Sequence, residues 1–171
     1  MPLCTLRSAV SGDAEFLFGV YASTRSEEMA ITGWTPEQQQ VFLRSQFAAQ
    51  DRHYRAFYPA ACFDIVQAQG KDAGRLYVDR SAAQLHVLDI ALLPEHRGLG
   101  LGRTLMRGLL AEAAAGCGKV ALHVERHNPA LHLYRRMGFT EVADQGLHIE
   151  MQWLAPQASP PAQARAACAA A

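Results

Sequence analysis

The chain has 171 residues, half of them hydrophobic and 19% charged, with 16 basic residues balancing 16 acidic ones. That length and composition support one packed domain and exclude a disordered chain. Zero net charge argues against a protein that grips nucleic acid through many phosphates, and no apolar run approaches the ~20 residues of a membrane-spanning helix.

In chain order, "CTLRSAV" reads as a first strand. "DAEFLFGVYASTRSEEMA" carries apolar residues at helical spacing, with Leu17, Val20 and Tyr21 on one face, and is expected as one helix that "TGW" ends. Thr35-Pro36-Glu37 opens a second helix, Thr35 as N-cap and Pro36 in its first turn, with Val41, Phe42, Phe47 and Tyr54 as its face and Pro59 as its stop. Three strand candidates follow. "ACFDIVQAQ" leads into a turn at Gly70-Lys71-Asp72. "GRLYVDR" alternates, with Leu76 and Val78 on one side and Tyr77 and Asp79 on the other. "QLHVLDIALL" is apolar enough for a central strand. By its parity, His86 shares a side with Leu88, Ile90 and Leu92, and Asp89 faces the other way unless a bulge intervenes.

A glycine stretch, "EHRGLGLGRT", leads into the helix "GRTLMRGLLAEAAAG", then the buried strand "KVALHVE". The short helix "NPALHLYRRMG" follows, with Asn128 as cap and Gly138 as stop. "FTEVADQGLHIEMQW" reads as a closing hairpin. The domain is expected over residues 1–154, with an Ala/Pro/Gln-rich tail over 155–171. Cys4, Cys62, Cys117 and Cys168 are scattered and form no CxxC pair. They read as small buried hydrophobes in a reducing cytosol rather than a disulfide or zinc framework. With no leader-like apolar run at the start, the expected location is cytoplasmic.

Three glycines at alternate positions, Gly98, Gly100 and Gly102, need a reason, because glycine inside a helix costs about 1 kcal/mol relative to alanine. Strand, glycine loop and helix start together make an anion cradle: the first amides of a helix lack partners, the dipole is positive there, and glycine lets the backbone approach an oxygen. Arg97 and Arg103 add charge. Neither GxxxxGK[ST] nor GxGxxG fits the stretch. R-x-x-G-x-G does, through Arg97, Gly100 and Gly102. Farther on, "ERHNPALHLYRRMGF" supplies Asn128, Tyr134, Gly138 and Phe139.

The two segments, at this separation and in this strand-helix-strand context, resemble the two signatures of the GNAT N-acetyltransferases. The resemblance covers roughly Leu85 to Trp153. It implies an α/β fold, GNAT-like: a mixed, mostly antiparallel sheet of about seven strands flanked by about four helices and splayed between the fourth and fifth strands. It also implies transfer of acetyl from acetyl-CoA to an amine by direct attack in a ternary complex. A non-catalytic acyl-CoA-binding module is the alternative.

On this chain the resemblance assigns the pantetheine arm to the strand end Ile90 to Leu93, with Leu92 beside the thioester. The pyrophosphate falls to Arg97, Gly98, Leu99, Gly100, Leu101, Gly102, Arg103 and Thr104 through main-chain N–H groups. Tyr134 is the implied general acid, and Asn128 both caps its helix and touches the coenzyme arm. His123 is the first candidate base, ahead of His86, Glu125 and Asp89, because an imidazole titrates near neutrality. The acceptor falls to the N-terminal helices, with Arg25, Glu27, Glu28 and Trp34 as contacts and Gln46, Gln50 and Tyr54 as further candidates. The expected acceptor is a small-molecule or peptide amine, with no nucleic acid or membrane as partner and a homodimer compatible with the resemblance. His123, His127 and His132 fall on a strand, a loop and a helix without an HExxH pattern, so no metal is expected.

Overall fold

A computed structural model describes residues 4–81 and 83–156. The tail expected over 155–171, including Cys168, lies from residue 157 onward outside the described residues. The elements are β1 (Thr5–Ser8), α1 (Ala14–Thr24), α2 (Ser26–Ala30), α3 (Pro36–Phe57), β2 (Cys62–Ala68), β3 (Lys71–Arg80), β4 (Leu85–Leu92), α4 (Leu101–Ala115), β5 (Lys119–Glu125), α5 (Ala130–Arg136), β6 (Thr140–Asp144) and β7 (His148–Leu154). The seven strands form one sheet in the order β1-β2-β3-β4-β5-β7-β6. Every pairing is antiparallel except β4 with β5.

That parallel pairing is short. It joins Leu85 to Val120, His86 to Ala121 and Val87 to Leu122, and stops there. Beyond Val87 the two strands diverge, which is the expected splay. β4 stays paired to β3 as far as Leu92. Gly74 on β3 allows this close approach, since a Cβ there would overlap the carbonyl oxygen of Ala91.

Two layers of helix cover the sheet. On one face, Leu105, Met106, Leu109 and Ala113 of α4 pack with Leu131 and Tyr134 of α5 against Leu76, Val78, Leu85, Val87, Val120 and Leu122. Each fully buried Leu or Met of this kind contributes about 1.5–3 kcal/mol. On the other face, Leu17 of α1 and Phe47 and Tyr54 of α3 pack against Ile65 and Tyr77.

Four sequence expectations are corrected. The first helix is two, giving five helices where about four were expected. α1 stops at Thr24 and α2 starts at Ser26. The Ser23 and Thr24 hydroxyls donate to the carbonyls of Val20 and Tyr21 (2.8 and 2.7 Å), and such side-chain bonds compete with helix propagation. The buried stripe of α3 runs through Leu43, Phe47 and Tyr54, while Val41 is exposed and Phe42 lies largely at the surface against Trp34. The β2–β3 turn tightens to Gln69-Gly70, both with positive φ (53° and 78°), the geometry that matches strand twist in a two-residue hairpin. Finally, the register of β4 shifts so that Tyr77 pairs with Asp89 and Val78 with Val87, leaving Leu88 bulged. Leu85 and Val87 therefore share the α4 face with Ile90 and Leu92. His86 turns to the opposite face, reversing its expected parity with Ile90 and Leu92, and so joins Asp89, which faces away from those two residues as expected. Thr35 caps α3 and Pro36 stands in its first turn, as the sequence foretold, and Gln38 completes a capping box with Thr35.

Candidate active site

The split between β4 and β5 opens a cleft of about 290 Å³, bordered by both strands, by the ends of α1 and α3 and by the start of α5. At the far end of β4 stands the glycine loop. Gly98 and Gly100 have φ of 72° and 82°, a left-handed conformation that side chains resist, and Gly100 is the N-cap of α4. No side chain caps this helix, and among the described residues the amides of residues 99–103 find no protein acceptor. Orphan donors at a helix start, exposed to solvent, fit a pyrophosphate. Gly102 sits within the first turn of α4, where a Cβ would just meet Leu133 of α5. Arg103 and Thr104 are exposed, and the Thr104 hydroxyl donates to Gly100 O (3.1 Å).

Arg97 is different. Its amide donates to Pro94 O (3.1 Å), its Nε to Leu92 O (2.8 Å), and its Nη2 to the carbonyl and hydroxyl of Ser23 (3.1 and 3.0 Å). Its donors are therefore directed at protein oxygens. The Leu93 amide is likewise committed, to Ala73 O (2.9 Å).

Tyr134 lines the cleft and is buried, its ring 5.7 Å from that of Phe139. Burial, with a smaller contribution from the Asp89 charge, pushes its phenol up to about 12, so it stays protonated. Asn128 borders the cleft, and its Oδ1 accepts from the Ala130 amide (2.9 Å), capping α5. On β5, Val120, Leu122 and Val124 point into the core, so His123 and Glu125 point to the opposite face and line the cleft. His86 sits beside His123, ring centroids 5.6 Å apart, and also against Tyr58 (5.6 Å). Burial and then the neighbouring His123 lower its pKa, opposed by Asp79 and Glu150.

Of the acceptor candidates, Arg25 is at the cleft, donating from Nη1 to Glu28 (2.8 Å) and Glu125 (3.0 Å). Glu27 is exposed and Trp34 packs edge-on against Phe42 (5.2 Å), neither of them lining the cleft. Gln50 and Tyr54 line it, and Gln46 is exposed. The Tyr54 hydroxyl donates to the carbonyl of the bulged Leu88 (3.1 Å), and burial holds its phenol well above the ordinary value.

Sequence reasoning missed the most buried charge in the cleft. Arg75 is 2% exposed and donates from Nη2 to Asp89 (2.6 Å) and Gln50 (3.0 Å). The rings of Tyr77, Tyr21 and Phe47 surround its guanidinium at 5.2–5.9 Å. Its Nε and the Tyr77 hydroxyl lack partners in the described structure. The sequence offered little signal: Arg75 shares strand parity with Tyr77 and Asp79, a side that is mixed in character. Among the described residues no cluster of three or more His, Cys, Asp or Glu could hold a metal ion. Cys4, Cys62 and Cys117 are free thiols, and Cys62 is exposed where burial was expected. No helix among them is long and apolar enough to cross a membrane.

Residues 59–141 match the family model for the acetyltransferase (GNAT) domain. The chain is 46% identical over 81 residues to streptothricin acetyltransferase of Streptomyces lavendulae, covering 45% of this chain and 43% of that protein. It is 40% identical over 68 residues to spermidine N(1)-acetyltransferase of Vibrio cholerae, covering 38% and 37%. The chain thus spans less than half the length of these curated relatives. Among solved structures, the PaiA N-acetyltransferase of Thermoplasma acidophilum in complex with coenzyme A shares the fold, with a TM-score of 0.66 and 20% identity over 88% of this chain and 98% of that one.

Proposed function

We propose that this chain, whose residues 59–141 match the GNAT acetyltransferase domain, is an acetyltransferase of that family and transfers an acetyl group from acetyl-CoA to the nitrogen of a small-molecule amine. The observation that carries this reading is the split between β4 and β5, with unpartnered helix-start amides at one end and a buried tyrosine hydroxyl inside. Relatives named for streptothricin and spermidine support a small amine as acceptor.

Acetyl-CoA, when bound, supplies the thioester carbonyl and the thiol leaving group. The amides of residues 99–103 hold the pyrophosphate, and the strand end at Leu92 and Leu93 runs alongside the pantetheine arm. Asn128 borders the same arm. His123, facing the cleft from β5, takes the proton that the acceptor ammonium must lose before its nitrogen can attack. Tyr134 keeps its proton at neutral pH and donates it towards the sulfur as the thiol departs. Arg25 and Glu28 stand on the acceptor's side, with Glu27 and Trp34 farther out. The same proposal sets the reaction in the cytoplasm, supported by three thiols that form no disulfide among the described residues.

The test is thiol release from acetyl-CoA across a panel of amines that includes spermidine, streptothricin and a peptide N-terminus. Wild type should release thiol with at least one of them. Tyr134→Phe should lose about 10²-fold or more in kcat while its calorimetric affinity for coenzyme A stays within about threefold. Tight coenzyme binding with no transfer to any amine would instead identify a binding module, and absence of coenzyme binding would defeat the reading altogether.

A further inference from the structure

The C-terminal end of α1 is tied to both lips of the split by two arginines. On the β4 lip, Arg97 donates to Leu92 O and, with another nitrogen, to the carbonyl and hydroxyl of Ser23 in the last turn of α1. On the β5 lip, Arg25, the residue at which α1 ends, donates to Glu125 and to Glu28 of α2. Between the lips the sheet itself provides no link, because residue pairing of β4 with β5 stops at Val87 and Leu122.

We propose that Arg97 and Arg25 are positioning residues that strap the end of α1 across the split and so set the width of the mouth through which the acceptor amine enters. This rests on the acyl-transfer reading above.

The chemistry of each link fits the task. The last carbonyls of a helix lack intrahelical donors and carry partial negative charge, so the guanidinium of Arg97 is attracted to Ser23 O electrostatically as well as by hydrogen bonding. A planar fork can serve Leu92 and Ser23 at once from different nitrogens, which a lysine ammonium on a flexible stem does not reproduce. A single exposed ion pair such as Arg25–Glu125 is weak alone. Here, however, it acts on an element already pinned at its other side, so each link lowers the freedom that the other must remove. α1 also ends at this point, with α2 starting at Ser26, so the strap acts at a break between two helices. The guanidinium of Arg97, turned towards Leu92 and Ser23, is thereby given a structural task rather than that of a phosphate ligand.

The deciding experiment is hydrogen exchange on the full chain, comparing wild type, Arg97→Ala and Arg97→Lys, with calorimetric titration of coenzyme A on each. In both variants the amides of residues 23–30 should exchange about tenfold faster, with β3 and β5 unchanged and coenzyme A affinity within about threefold of wild type. With the amine that wild type acetylates in the panel above, KM should rise more than kcat falls. The inference is overturned if exchange at residues 23–30 is unchanged, or if every element speeds up equally. A tenfold loss of coenzyme A affinity in Arg97→Ala would overturn it as well, since Arg97 would then be a phosphate ligand. A wild-type chain that binds no coenzyme A defeats the acyl-transfer reading instead, and exchange still decides whether the strap exists.

Discussion

The glycine loop and the inner wall of the cleft are built in opposite ways. At the glycine loop the donors have no partners: among the described residues the amides of residues 99–103 find no protein acceptor. At the inner wall the charges are paired: Arg75 holds Asp89 and Gln50 through Nη2, although its Nε has no partner, and Arg25 holds Glu28 and Glu125. An unsatisfied donor at the surface is tolerable because water serves it until a ligand arrives. A buried guanidinium has no such reserve and must be paired within the protein. On the proposed function the loop is the part that takes an anion, and the wall is a scaffold whose charges pair within the protein.

The contrast can be broken first at the wall. Arg75→Met leaves Asp89, its side chain only 14% exposed, without its cation, and should cost about 3–5 kcal/mol of stability in denaturant titrations. Adding Asp89→Leu should recover most of that loss, because replacing both partners by apolar groups removes the stranded charge. If the single variant is as stable as wild type, the pair is not what holds the wall.

The loop should respond more mildly and in a different observable. Gly100→Ala forces a side chain into the left-handed region at φ 82° and should cost about 1–2 kcal/mol, read as coenzyme A affinity about tenfold weaker. Unchanged affinity would mean that the loop's backbone shape is not what binds.

The smallest effect concerns His86. Its pKa is lowered in the folded state, so below about pH 6.5 the unfolded chain binds the extra proton first. Stability is complete above that pH and declines as pH falls through the window between the unfolded and the folded value. The groups facing His86 are His123, Tyr58, Asp79 and Glu150. His86→Gln should flatten this part of the pH–Tm curve while leaving its neutral plateau little changed. An equally steep decline in the variant would assign the slope to another group.

Legibility in the sequence followed the range of the interactions. The Thr35 cap, the left-handed glycines at 98 and 100 and the Asn128 cap all depend on residues within a few positions of one another. The order of strands and helices came from periodicities that are equally local. The bulge at Leu88 was not legible, because the strand on its own alternates normally and only the register against β3 inserts the extra residue. One such insertion moved His86 off the side of Ile90 and Leu92 and onto the side of Asp89. The break between α1 and α2 was missed because Ser23 and Thr24 extend a helix or interrupt it according to where their hydroxyls turn.

By itself, then, the sequence determined most of the elements and the left-handed glycines before α4, since glycine stereochemistry acts within a single loop. Only the tertiary structure decided which charges meet. Arg75 finds Asp89 fourteen positions away, Arg97 finds Ser23 at a separation of 74, and Arg25 finds Glu125 at a separation of 100. A guanidinium takes whichever oxygens folding brings within reach, and no local pattern records that choice.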